Sequence, residues 1–312
     1  MARASHGGGA VVSARPSPRT TWRVGDRTLD VSRPVVMGIL NMTPDSFSDG
    51  GELAGVDDAL SRAETMVEAG AGLLDVGGES TRPGAPEVPA DEEIRRVVPF
   101  VEAASRRFDV PLSVDTRKAA VARAALEAGA SVVNDVSGLA WDPDMAAAAA
   151  RGGAGVVVMH MRGTPATMQE HAVYEDVTGS VVAELGEALQ RARAAGIPAE
   201  RVVVDPGIGF AKTPEQNLVL LRELPRLTEL GHPILVGPSR KSFLGHLLRV
   251  RTRERLAGTL ASCVLAYLGG ARLFRVHDVA PAVQALTVAR AVAGEVREAG
   301  GRASSALASG GA

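Results

Sequence analysis

Aromatic side chains are scarce in this 312-residue chain, with six Phe, two Trp and two Tyr. A core must therefore be built from Ala, Val, Leu and Ile, and an aromatic surface for stacking nucleic-acid bases is not expected. Cysteine is nearly absent. Cys263 stands alone, which excludes an internal disulfide framework and a cysteine-based zinc site. Its apolar helical setting, from Ala261 to Tyr267, suits a small buried hydrophobe. Neither sign of charge dominates: 34 Lys and Arg face 36 Asp and Glu, so the balance points to no nucleic acid and no membrane partner. No apolar run reaches the roughly 18 residues that a membrane span requires. What remains is the composition of a cytoplasmic, globular protein, 46% hydrophobic and 22% charged.

The start of the chain is rich in Gly, Ala, Ser and Arg, and its first acid is Asp26. It has no apolar stretch of the secretory kind. A disordered tail over 1–20 is expected, with an organelle-targeting peptide as the alternative. A Gly/Ala/Ser segment over 299–312 is expected to be a second tail, which leaves 21–298 as one domain.

Within that domain one pattern repeats: a short apolar run, a glycine-containing loop, then an amphipathic helical segment. The strand candidates are Val35–Leu40, Gly72–Val76, Pro111–Asp115, Ser131–Asp135, Gly155–Met159, Arg201–Asp205, Pro233–Gly237 and Ala271–Val276. They are short and β-branched, and most lack polar/apolar alternation, as strands buried on both faces do. Helices are expected between them, among others over Asp57–Ala69, Asp91–Arg107, Arg117–Ala128, Val177–Ala195 and Glu254–Leu268. Gly70, Gly129 and Gly196 follow three helical segments as left-handed caps. Eight strand–helix units predict a single (β/α)8 TIM barrel, which typically takes about 250 residues. An open doubly wound sheet is the alternative. Residues Thr21 to Ser32 suggest a short N-terminal hairpin that closes the bottom of the barrel.

Chemistry in such a barrel sits at the C-terminal ends of the strands. There the chain carries NMTPDSFSDGG from Asn41, GGESTRPG from Gly77, SVDTRK from Ser113, NDVSG from Asn134, DPGIGF from Asp205, SRKSF from Ser239 and RVHDV from Arg275. Helix capping accounts for one or two of these polar residues, Ser239 and Asp278 being the best candidates. It does not account for seven strand ends behaving alike.

These motifs, in this order, resemble the dihydropteroate synthase family over roughly residues 22–298. The resemblance implies a transferase of folate biosynthesis and a sulfonamide target. Its reaction condenses 6-hydroxymethyl-7,8-dihydropterin diphosphate with 4-aminobenzoate and releases diphosphate. It also implies loops that close over the site, with Phe47, Asp49, Thr81, Arg82 and Pro83 beside Phe210 and Ser239 at the 4-aminobenzoate, and pairing of barrels as a homodimer. Pro238 departs from the family, which more often has a small or aliphatic residue there.

The residue types agree with that chemistry. A pterin edge offers donors at its exocyclic amine and N3 and acceptors at O4 and N5, so reading it takes carboxylates, an amide and a cation. Asp115, Asn134, Asp205 and Lys241 are those types, each at the barrel mouth. The plainer alternatives are a helix start for Asp115 and a turn residue for Asp205. Arg275 and His277, two apart at a strand end, would point the same way and form an anion site for diphosphate with Asn41 and Thr81. Mg2+ held mainly by diphosphate and water, with Asn41 as one oxygen ligand, suits hard-cation chemistry. Asp49 would stabilise the cation left at the pterin as diphosphate departs, with Lys241, Arg275 and His277 completing the catalytic set. Two further readings stay open: a methyltetrahydrofolate-binding methyltransferase, and a paralogue that binds a pterin without turning it over.

Overall fold

The computed structural model describes residues 19–43, 51–82 and 84–295, the side chains of 51–54 excepted. Two antiparallel strands come first, β1 (Thr21–Val24) and β2 (Arg27–Asp30), with Val24 opposite Arg27. The two-residue turn between them needs a positive φ, and Gly25 supplies it at 56°. The eight barrel strands follow: β3 (Val35–Asn41), β4 (Leu73–Gly77), β5 (Leu112–Asp115), β6 (Val132–Asp135), β7 (Gly155–Met159), β8 (Val202–Asp205), β9 (Leu235–Val236) and β10 (Leu273–Val276). They pair in parallel in the order β8-β7-β6-β5-β4-β3-β10-β9, and a parallel bridge between Val204 and Ile234 brings the two ends together. That closure sets aside the open doubly wound sheet. The α-helices between and after the strands are α1 (Gly51–Glu68), α2 (Ala90–Arg107), α3 (Ala119–Glu127), α4 (Met145–Arg151), α5 (Val177–Ala194), α6 (Pro214–Arg222), α7 (Ser242–Leu248), α8 (Leu256–Leu268) and α9 (Val279–Val292). No described helix is long and apolar enough to cross a membrane.

The strands do alternate, but between two apolar surroundings. Val36, Leu74, Val133, Val202, Val236 and Phe274 pack outward into the helical shell. Their neighbours Met37, Leu73, Val132, Val203, Leu235 and Leu273 turn inward and pack against Trp22, Val24 and Val31. The hairpin is therefore the floor of the barrel, as the sequence suggests. Trp22 is fully buried there, and its indole N–H donates to the carbonyl of Arg201 at 2.9 Å.

Two residues further along the same inward rows, leucines and valines give way to Asp75, Asn134, Asp205 and Arg275. Asp115 stands one row beyond Ser113 on β5, paired in register with Gly77 and Asn134. The period of two thus converts a dry floor into a polar ceiling within one strand length. Gly70, Gly129 and Gly196 take φ values of +94°, +115° and +81°, as expected of left-handed caps. Cys263 is fully buried in α8, where burial pushes its thiol up to about 12.

Two local expectations change. The helix expected from Arg117 begins at Ala119, because Arg117 and Lys118 are buried against acids of the neighbouring loop. Ser239 and Asp278 cap no helix through their side chains: Lys241 occupies the cap position of α7, and the Asp278 carboxylate pairs with Arg240 at 2.7 Å. The tails expected at the two ends lie outside the described residues, apart from Arg19 and Thr20.

Candidate active site

One pocket opens at the C-terminal end of the barrel. Its polar lining is Thr81, Asp115, Asn134, Asp205, Lys241 and Arg275, and its apolar lining includes Val136, Met159, Ile208 and Phe210. The four residues expected at a pterin edge are all in it, delivered by β5, β6, β8 and the loop after β9.

The Asp205 carboxylate accepts the backbone N–H of Gly207 at 2.7 Å, an arrangement that the left-handed φ of +68° at Gly207 allows. Burial pushes Asp205 up to about 6, against the pull of that N–H and of the Lys241 ammonium. Asp115 is raised too, by burial first, with Arg275 opposing and Asp75 adding to the rise. One Asp115 oxygen is buried without a hydrogen-bond partner. Lys241 is lowered to about 8 by burial and by Arg275, and its Nζ stands 3.9 Å from the centroid of the Phe210 ring. A pocket of this kind holds acceptors, a cation and an apolar floor ready for a flat, polar-edged ring.

Arg275 lies inside this pocket. Its Nε donates to Asp75 at 2.6 Å and its Nη2 to Asp115 at 2.7 Å, so two carboxylates already neutralise it. His277 follows the end of β10, outside the pocket lining, with its Nδ1 2.9 Å from the Ser239 hydroxyl. That hydroxyl also accepts the His277 backbone N–H at 3.2 Å. Burial, with Arg275 and Arg240 nearby, pushes His277 down to about 4. The anion site expected of Arg275 and His277 thus has a guanidinium already paired with two carboxylates and an imidazole that burial keeps neutral. Asn41 ends β3 in the register row that continues through Gly77 and Asp115 to Asn134. Arg82 is exposed at the rim. Phe47, Asp49 and Pro83 lie outside the described residues.

Asp75 is the residue that the sequence reading passed over. It is fully buried, accepts from Asn134 Nδ2 at 3.2 Å as well as from Arg275, and stands in the otherwise apolar run Leu73–Gly77. A lone acid in a buried strand was its signal. The motif residues Glu79, Arg117 and Lys118 serve the scaffold: Glu79 accepts from Val88 N–H at 2.9 Å, pairs with Arg117 at 3.1 Å and with Lys118, and Lys118 also reaches Glu93 at 2.7 Å. Burial alone would raise Glu79, but Lys118, the Val88 N–H and Arg117 hold it below the usual carboxylate range.

Among the described residues no group of three His, Cys, Asp or Glu side chains could hold a metal ion. The single amide oxygen of Asn41 suits a hard cation that brings most of its ligands with it.

The pterin binding enzyme family matches residues 37–277. A protein of a Synechocystis strain named dihydropteroate synthase is 49% identical over 261 residues, 83% of this chain and 90% of its own. The crystal structure of Yersinia pestis dihydropteroate synthase with a sulfonamide drug complex superimposes with a TM-score of 0.83 at 47% identity, covering 88% of this chain and 99% of that one. Dihydropteroate synthase of Xanthomonas albilineans with 4-aminobenzoic acid gives a TM-score of 0.82 at 47% identity, covering 89% and 98%.

Proposed function

The chain belongs to the pterin binding enzyme family, and we infer from this that it is a dihydropteroate synthase. It condenses 6-hydroxymethyl-7,8-dihydropterin diphosphate with 4-aminobenzoate, giving 7,8-dihydropteroate and diphosphate. The observation that carries this reading is the gathering of Asp115, Asn134, Asp205 and Lys241 around one pocket with apolar walls. In it, Asp205 and Asn134 take the 2-amino and N3 donors of the pterin, and Lys241 donates to the acceptor edge. Arg275, held by Asp75 and Asp115, stands on the same wall with a fixed guanidinium plane.

The leaving diphosphate then lies toward the mouth, near Asn41, Thr81 and His277. A neutral His277, with the Ser239 hydroxyl donating to Nδ1 in this reading, serves as a hydrogen-bond donor to phosphate oxygen through Nε2 and not as a countercharge. Most of the negative charge must accordingly be met by a divalent cation that arrives with the diphosphate, Mg2+ being the ion whose hard, oxygen-rich coordination fits. The carbon–oxygen bond to diphosphate breaks with its electron pair leaving on oxygen, the arylamine nitrogen bonds to the freed carbon, and the amine loses a proton. Asp49 faces the developing cation in this reading, and Phe47, Arg82, Pro83, Phe210 and Ser239 line the 4-aminobenzoate pocket.

We also read the protein as a homodimer. Leu265 and Leu268 of α8 are each 61% exposed, and Val288 and Val292 of the neighbouring α9 are 64% and 83% exposed, apolar side chains that pairing of barrels would cover. Sedimentation should show a dimer, and a monomer at micromolar concentration would overturn this part.

The deciding experiment is a diphosphate-release assay. Release should require both substrates and a divalent cation. A protein that binds the pterin yet releases no diphosphate with 4-aminobenzoate present would be a non-catalytic pterin binder instead.

A further inference from the structure

Outside the pocket, three titratable side chains, two of them buried, form a chain that the reaction does not use. Lys212 and His160 are each 3% exposed. The Lys212 Nζ lies within hydrogen-bond reach of three groups: His160 Nδ1 at 2.9 Å, the Gly207 carbonyl at 3.1 Å and the Phe210 carbonyl at 2.9 Å, and burial lowers its pKa to about 7. His160 in turn places Nε2 3.1 Å from Glu184 of α5, and Glu184 is paired with Arg162. An acceptor at Nδ1 and a donor at Nε2 make His160 neutral, and burial pushes it down to about 4.

This chain ends on the loop that carries the pterin pocket. The backbone N–H of His160 donates to the Asp205 carbonyl at 2.9 Å. The loop passes so close to the end of β7 that a Cβ on Gly207 would lie 2.0 Å from the His160 carbonyl oxygen. Ala211, beside Phe210, sits in the left-handed region at φ 47°, a conformation that an alanine holds only against some cost. Asn217 grips the other side of the loop through Gly209 N–H at 2.6 Å and Thr213 carbonyl at 2.7 Å.

We propose that Lys212, oriented by His160 and through it by Glu184, is a positioning residue: it holds the Phe210 carbonyl and so the ring against which the Lys241 ammonium rests, and keeps the Asp205 turn in its binding form. The proposal rests on the pterin-binding reading of the pocket. A lysine fits the task because three acceptors on two segments must be met by one buried donor group.

The test is calorimetric titration of 6-hydroxymethylpterin into wild type, Lys212→Met and Glu184→Gln. Lys212→Met keeps the stem and loses the donors, and Asn217 still holds the loop, so pterin affinity should fall about tenfold with the fold retained. Glu184→Gln, at the half-exposed end of the chain, should show a smaller loss of about threefold. In turnover the losses should fall on KM for the pterin and for 4-aminobenzoate, with kcat changed less. A melting temperature that drops while pterin affinity stays within twofold would show that Lys212 is only structural. Should Lys212→Met fail to fold, unchanged affinity in Glu184→Gln would sink the proposal by itself. Wild-type protein that fails to bind the pterin would overturn the functional reading instead.

Discussion

Asp75 and Arg275 stand 200 residues apart in the chain and meet at 2.6 Å over the intervening strand β3. The same Asp75 oxygen receives Asn134 Nδ2 at 3.2 Å, so one buried carboxylate on β4 orients a guanidinium on β10 and an amide on β6. Asp115 takes the other end of the guanidinium at 2.7 Å. The pocket wall is thus assembled before any ligand arrives, and its charges are held at fixed angles.

Asp75→Ala should therefore weaken pterin binding although Asp75 does not line the pocket. Freeing Arg275 and Asn134 together costs about 1–3 kcal/mol, roughly fivefold to 150-fold in affinity. Calorimetry with a pterin measures it, and affinity within twofold of wild type would show that Asp115 alone fixes Arg275.

Asp205→Asn replaces an acceptor with a donor opposite the pterin donors. The loss of a charge-assisted pair should cost about 2–4 kcal/mol of binding. Near-normal pterin affinity in this variant would remove Asp205 from the pterin edge.

The acid limb of pterin binding should lie near pH 6. Burial raises Asp205 from its ordinary 3.8 to about 6, so below that pH the folded site carries a neutral acid and affinity should fall about tenfold per unit. The same shift means that this carboxyl favours the folded state below about pH 4, a contribution lost as pH rises toward 6. Titrations across pH 4.5–8 check the limb with roughly half-unit steps, and Asp205→Asn should lose the step near pH 6 and keep the one from Asp115, which burial raises to about 7.

Trp22→Ala should lower stability by about 3–5 kcal/mol, because it empties the floor of the barrel and leaves the Arg201 carbonyl without its indole donor. Denaturant unfolding measures the loss. At temperatures where the variant stays folded, KM for both substrates should be unchanged, since the floor and the pocket are separate layers of the lumen.

Chelation of divalent cations should stop turnover and leave the melting temperature of the free protein where it was. An ion held mainly by diphosphate oxygens and water would be no part of the protein's own framework. A melting temperature that collapses in EDTA would mean a structural metal.

Much of this molecule is local chemistry written along the chain. Short β-branched runs, glycine caps at Gly70, Gly129 and Gly196, and a polar cluster after nearly every run sufficed for the barrel, its floor hairpin and the cluster Asp115, Asn134, Asp205 and Lys241. These follow from the periods of helix and strand, which act over a few residues. Partnerships between distant segments do not. That Arg275 turns to Asp75 and Asp115 and away from His277, that Ser239 serves His277 and caps no helix, and that Lys212 meets His160 and through it Glu184 all depend on strand register and on closure of the ring. The sequence determined which residues reach the mouth of the barrel. Only the tertiary structure decided which of their charges are already spoken for, because a buried charge takes the partner that strand register and closure of the ring bring within 3 Å.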